Sequence, residues 1–364
     1  MILHRYFARR FTQYFLMVLG LFVVLSVLLD LIEQLRAFNG RNAAFRDIFE
    51  ITLLNTPQSL YRILPLVLIL TTIALFLSLA RSSEMVVTRA AGRSALRALV
   101  SPVLVTLLIG AVGVAVVNPI VAATSRKSEI RAGLLAGLDN VLNISSDGLW
   151  LRQGTEKGQT VIRALGTNLD GTELRDATFI TFTFADGPTR RIEADTARLT
   201  VGAWQLTGVK LWPLADSDNP EAAATTMDNY EIPSTLTPDQ IRDSFGAPSS
   251  IPIWELPGFI GRLETAGFAA RRHQMWFQSE LAMPLFLVAV VLIVSGFTMR
   301  HQRGGRVGLM VMTAILLSFG LYFLRNFASI LGESGQIPVA LAAWAPPVAG
   351  VALSLGFLLH LEDG

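Results

Sequence analysis

FTQYFLMVLGLFVVLSVLLD (11–30) carries one charge, Asp30, at its very end. At ~1.5 Å per residue, a helix of that length crosses the roughly 30 Å of hydrocarbon in a bilayer. No water reaches the backbone there, so only an element that satisfies its own N–H and C=O groups can form. Five further stretches read the same way, at 60–80, 99–119, 281–299, 307–329 and 338–360. Three apolar spans, a long polar block and three more spans make an integral membrane protein. The block between the triplets must fold in water on one side.

Composition agrees. The chain has 364 residues, 52% hydrophobic and 16% charged, where a soluble protein carries nearer ~25% charge. The net charge of +2 says little, because sign is sorted by side of the membrane. There is no cysteine, which excludes a disulfide framework and a thiolate metal site. The four histidines, His4, His273, His301 and His360, are scattered, and no H-E-x-x-H occurs. No G-x-x-x-x-G-K-[ST] phosphate loop exists, so this chain does not cradle ATP by that motif. NIS (143–145) reads as a chance sequon. Arg9 and Arg10 before an apolar run imitate a secretory signal. The run is too long for one and no small-residue cleavage site follows, so an uncleaved first span is expected.

Arginines set the expected topology. Arg5, Arg9 and Arg10 lie before span one, Arg81, Arg89, Arg93 and Arg97 between spans two and three, and Arg300, Arg303 and Arg306 between spans four and five. If all six spans cross, these segments share a side, and the positive-inside rule makes it the cytoplasm. Both termini are then cytoplasmic and the central block periplasmic.

That block alternates as half-buried strands do. GLWLRQ (148–153), QTVIRAL (159–165), TFITFTF (178–184), TRRIEADTARLT (189–200) and AWQLTGVKLWP (203–213) are separated by turn signals, which predicts an all-β sandwich or jelly roll. Phe182 and Phe184 share a face and Phe179 takes the other, unless a bulge intervenes. DSDNPEAAATT (216–226) reads as a loop, Thr237-Pro238-Asp239-Gln240 as a helix start, and 253–270 as an amphipathic helix running towards span four.

The spans are poor in charge through their middles, whereas proton- or sodium-driven carriers bury ionisable groups there. That leaves a membrane-anchored assembly scaffold or a permease driven by a separate motor. ARSSEMVVTRAAGRSALRA (80–98) is too long for a tight turn. It is helix-compatible over 82–92, with Glu84 in the first turn, Met85 and Val86 on an apolar edge, and Gly92 as a stop. Such a helix either lies on lipid or docks into a groove on a cytoplasmic partner.

SSEMVVTRAAG (82–92), flanked by three spans on each side with a β-domain between, resembles the LptF/LptG permeases. Further matches are DLIEQLR (30–36), SSDGLW (145–150), STLTPDQI (234–241), GRVGLMVM (305–312) and GQIPVALAAWAPP (335–347). The likeness covers essentially the whole chain, and its wording is nearer the LptG branch than the LptF branch. It implies six transmembrane helices with an inserted periplasmic jelly-roll-like domain, organised as 1–125, 126–270 and 271–364. It implies a non-catalytic subunit of an ABC exporter in the bacterial inner membrane, which extracts lipopolysaccharide. The implied partners are an LptF-like second permease, an LptB-like ATPase dimer and an LptC-like periplasmic bridge, with no nucleic acid. ATP and Mg would be bound by the ATPase and no cofactor by this chain. Glu84, Met85, Val86, Arg89 and Gly92 would form the coupling helix, with Glu84 facing a basic group on the ATPase. Where the family carries a lysine near the outer end of span one, this chain has Asp30, which could instead hold a nearby arginine.

Spans one and five would then line the lipid cavity. Arg36, just past span one, and Arg325, about 18 residues or ~27 Å into span five, are expected near one headgroup level. There they either make bidentate phosphate contacts or snorkel to water as interfacial anchors; Arg41, Arg46 and Arg62 are weaker candidates. Phe15, Leu19, Phe22 and Ser26 share one helical face of span one. Leu316, Phe319, Gly320 and Phe323 do so in span five. Both faces suit acyl chains.

Overall fold

The computed structural model describes residues 2–39, 44–82, 84, 94–136, 142–145, 148–155, 158–167, 172–183, 187–215, 219–234, 236, 248–265, 269–299 and 307–363. The chain forms two compact units. One comprises Met1–Ala132, Ser249–Trp254 and Arg271–Gly364, the other Gly133–Pro248 and Glu255–Ala270.

The first unit is helical: α1 (Ile2–Ala37), α2 (Phe45–Arg81), α3 (Ala95–Val112), α4 (Asn118–Ala136), α6 (Arg271–Thr298), α7 (Val307–Glu333) and α8 (Val339–Asp363). α3 and α4 are one rod joined by a π-helical turn, Gly113–Val117. Such a turn disturbs the carbonyl ladder, and Trp254 Nε1 donates to Ala115 O inside it at 3.2 Å. All six expected spans are present as helices long and apolar enough to cross a membrane.

α6 is the packed centre, touching α2, α3, α7 and α8. Phe286, Leu287, Ala289, Val290, Val291 and Val294 are fully buried, as expected of a helix apolar all round. Its most apolar window is 72% buried, against 17% for α1 and for α7, so those two helices stand at the margin. Close approach of α3 to α6 depends on Gly110, where a Cβ would lie 2.6 Å from Pro284 Cα. Small residues let membrane helices meet in this way.

The described residues of the second unit form seven strands: β1 (Leu142–Ser145), β2 (Gly148–Thr155), β3 (Gly158–Thr167), β4 (Glu173–Thr183), β5 (Gly187–Thr200), β6 (Ala203–Pro213) and β7 (Thr225–Pro233). They pair antiparallel in strict chain order. The all-β insert expected from alternation is there, but the described strands form a meander without a jelly roll's Greek-key crossings. Turns as short as Val201-Gly202, with Gly202 at φ 88°, leave no chain to cross over. The ladder is interrupted along one line: Leu165, Asp176, Asp195, Gly208 and Asp228 stand opposite one another, and the pairing skips each. Asp176 and Gly208 have φ of 48° and 64°. Such irregularities bend strands and increase local twist, so one sheet can curl over its own core without crossing.

Phe179, Trp204, Ile162, Leu174, Ile192 and Leu206 fill that core, joined by Leu263 of α5 (Leu256–Thr265). Phe179 meets Trp204 edge-on at 6.1 Å. The register shifts between Thr181 and Phe182, so the bulge condition attached to the phenylalanines is met; Phe184 lies outside the described residues. The helix expected over 253–270 is shorter, confined to α5. The loop expected over 216–226 gives way to β7 at Thr225. The helix start at 237–240 lies outside the described residues.

Gly110→Val is expected to lower the melting temperature of the detergent-purified protein by several degrees, since overpacking costs about 1–3 kcal/mol. Gly20→Ala, which meets nothing within 4 Å, should leave melting unchanged.

Candidate functional site

Three places in the helical unit hold the residues singled out from sequence. The first is where α1 and α2 flank Glu84. Arg10 Nη1 donates to Glu84 Oε1 at 2.6 Å, Ser82 Oγ to the same oxygen at 2.8 Å, and Tyr6 Oη to Oε2 at 2.8 Å. Arg10 Nη2 also reaches Ser78 Oγ at 3.1 Å. Burial pushes the Glu84 carboxyl up, but the hydrogen bonds from Arg10, Tyr6 and Ser82 more than offset it and hold it below the ordinary glutamate value. The contact is therefore present at neutral pH and lost only as pH falls through that lowered value. Among the described residues, the cation hydrogen-bonded to Glu84 is Arg10 of α1. Met85, Val86, Arg89 and Gly92 lie outside the described residues.

The second place is a cavity of about 300 Å³ lined by residues of α2, α4, α6 and α7, among them Tyr61, Asn118, Trp276, Glu280 and Arg325. Glu280 is 2% exposed. Its Oε2 accepts from Tyr61 Oη and, at 3.1 Å, from Asn118 Nδ2. The other end of the Asn118 amide accepts Ile253 N at 3.1 Å. Arg325 lies over the Phe286 ring at 4.8 Å and donates to Ser279 O at 3.4 Å. One guanidinium hydrogen bond of five possible leaves most of its donors for the cavity. Trp276 Nε1 is buried without a protein partner. The arrangement can receive an anionic oxygen group through Arg325, with Glu280 also lining the cavity.

The third place is an apolar cavity of about 600 Å³ between α1, α2 and α3, lined by Phe15, Leu19, Leu60, Leu64, Leu108 and neighbouring residues. The Phe15, Leu19, Phe22 and Ser26 face turns into this chain's own bundle: Phe15 and Ser26 are buried, and Leu19 and Phe22 pack on the core. The outward face of α1 is instead Met17, Leu21, Val24, Leu28 and Leu35. On α7 the expected face is outward, with Leu316, Phe319 and Phe323 exposed.

The remaining sequence candidates are dispersed. Arg36 is exposed in the last turn of α1, Arg62 lines the polar cavity, Arg46 is exposed near the start of α2, and Arg41 lies outside the described residues. Among the described residues Asp30 holds no arginine; its Oδ2 accepts Ser59 Oγ of α2 at 2.9 Å. Sequence reasoning missed Glu280, Tyr61 and Asn118, and it missed Tyr6 and Arg10 as the partners of Glu84. Among the described residues no group of His, Asp and Glu could hold a metal ion.

The family described as lipopolysaccharide export system permease LptF/LptG matches residues 5–360. The chain is similar to the lipopolysaccharide export system permease protein LptG of Escherichia coli (strain K12), with 24% identity over 99% of this chain and 98% of that protein. It is also similar to the protein of the same name from Haemophilus influenzae, with 22% identity over 94% and 93%.

Glu280→Ala orphans two buried donors, at about 1–3 kcal/mol each, and should lower melting in detergent markedly. Glu280→Gln keeps an acceptor and should lose less than half as much. Equal losses would mean that the charge, and not the hydrogen bonds, holds the helices.

Proposed function

The chain belongs to the LptF/LptG family of lipopolysaccharide export permeases, and from that premise we propose that it is one transmembrane half of an exporter whose ATP is hydrolysed by another subunit. It is a multi-pass inner-membrane permease subunit for lipopolysaccharide export. The observation that carries the fuller reading is a pairing. A family match runs nearly end to end, and the sequence contains no phosphate loop with which to use ATP itself. ATP and Mg then belong to an LptB-like ATPase dimer, and this chain binds no cofactor.

The remaining parts follow from the physics of each element. Arginine placement supports cytoplasmic termini and a periplasmic β-domain, which would hand lipid to an LptC-like bridge. The wide outward faces of α1 and α7 suit an LptF-like second permease and the acyl chains between the two halves. Leu316, Phe319 and Phe323 supply apolar surface on α7. Arg325 supplies unspent donors for a lipid phosphate, where a charge-assisted guanidinium contact is roughly twice as strong as a neutral hydrogen bond. Arg36 adds a cation at the end of α1. The 82–92 segment is the contact for the ATPase, anchored at its first turn by Glu84.

Two substitutions test this in the assembled complex. Glu84→Ala should weaken retention of the ATPase or reduce lipopolysaccharide released per ATP several-fold; unchanged association and release would remove Glu84 from coupling. Arg325→Ala should reduce photocrosslinking of lipopolysaccharide several-fold with the complex intact. Unaltered crosslinking and export would reduce Arg325 to a membrane-interface anchor.

A further inference from the structure

We propose that Arg10 and Tyr6 are positioning residues that fasten the first span to the ATPase-coupling segment, so that α1 moves with that segment. The proposal rests on the reading of 82–92 as the ATPase contact and adds the part of the chain that receives the push.

Geometry carries it. Tyr6 and Arg10 are four residues apart on α1, one turn on the same face. Both reach Glu84, and together they use both oxygens of its carboxylate. They are also tied to each other. Arg10 Nη1 donates to the Tyr6 hydroxyl, and its guanidinium carbon lies 5.6 Å from the Tyr6 ring centroid. The second nitrogen of Arg10 holds Ser78, in the last turn of α2. One guanidinium therefore joins α1, the end of α2 and Glu84 beyond it. The Arg10 and Glu84 side chains are 24% and 31% exposed, so this is a partly enclosed network and not a solvated surface pair.

The other half of the argument is the rod to which this grip is attached. α1 is continuous from Ile2 to Ala37, and no proline interrupts it. A helix of that length spans roughly 54 Å, so displacement at Arg10 is delivered to the far end. Only 17% of its apolar window is buried; the contacts it makes with the bundle core are concentrated at Phe7, Phe11, Phe15 and Val18, around Arg10. The far end carries the outward apolar face and Arg36. A displacement of the coupling segment is thereby converted into a displacement of a membrane-facing wall.

The test uses this chain assembled with its ATPase and second permease subunit in lipid nanodiscs. Three quantities are read: ATPase retained, ATP hydrolysed, and lipopolysaccharide released per ATP. Arg10→Ala and Tyr6→Phe are each expected to lower release per ATP about three- to tenfold, with ATPase retention and hydrolysis kept. Arg10→Lys, which keeps a cation but not the fork, should retain an intermediate ratio. In a Glu84→Ala background, Arg10→Ala should lower the ratio no further. If Glu84→Ala lowers the ratio while Arg10→Ala and Tyr6→Phe leave it unchanged, the grip is wrong and the coupling reading stands. If Arg10→Ala costs as much with Glu84 absent as with it present, Arg10 acts through another contact and the proposal is likewise overturned. If Glu84→Ala changes none of the three quantities, the coupling reading falls and takes the grip with it.

Discussion

A carboxylate buried among membrane helices must be held by donors, because removing it from water costs several kcal/mol. Glu280 imposes that requirement at the centre of the helical unit. Tyr61 of α2 and Asn118 at the start of α4 meet it on one oxygen. Asn118 uses its carbonyl to hold the chain at Ile253. One side chain thus decides where α2, α4 and the 249–254 segment sit against α6. Around it the packing is apolar and close, down to the Gly110–Pro284 approach. What remains at the margin is α1 and α7.

That division suits a permease subunit for lipopolysaccharide export. Helices packed on α6 form the frame, while α1 and α7 keep exposed apolar faces. Charge is confined to points along them. Arg325 and Glu280 both line the polar cavity, and Arg10 with Tyr6 grips Glu84 near the N-terminal end of α1. An uninterrupted α1 runs from the Arg10 end to Arg36.

Much of this could be read from the residues. Length and lack of charge place all six spans, because hydrocarbon thickness imposes a minimum that few soluble segments reach. Alternation finds β2 to β6, and β6 has the bounds read from sequence, since its ends are marked by Gly202 and Pro213. β1 has four residues, too few to show a period, and β7 is mostly polar. Other features were hidden for physical reasons. In α1 the inward stripe Phe15, Leu19, Phe22 and the outward stripe Met17, Leu21, Val24 are both apolar, so periodicity cannot tell core from lipid. Glu280 falls just before the uncharged run at 281–299 and reads as a flank. The helix begins at Arg271, which puts Glu280 in its third turn, inside the bundle. The α1 partners of Glu84, Tyr6 and Arg10, are more than seventy residues away in sequence, beyond the reach of any local pattern.

The central claim is that this chain supplies the membrane path and another supplies the ATP hydrolysis. It is tested most directly by extracting the tagged chain from its native membrane with a mild detergent and measuring the mass and composition of what comes with it. The account predicts one complex containing an ATPase dimer, a second six-span subunit and bound lipopolysaccharide. Recovery of the chain alone, or with periplasmic proteins but no ATPase, under conditions that keep it folded, would contradict it.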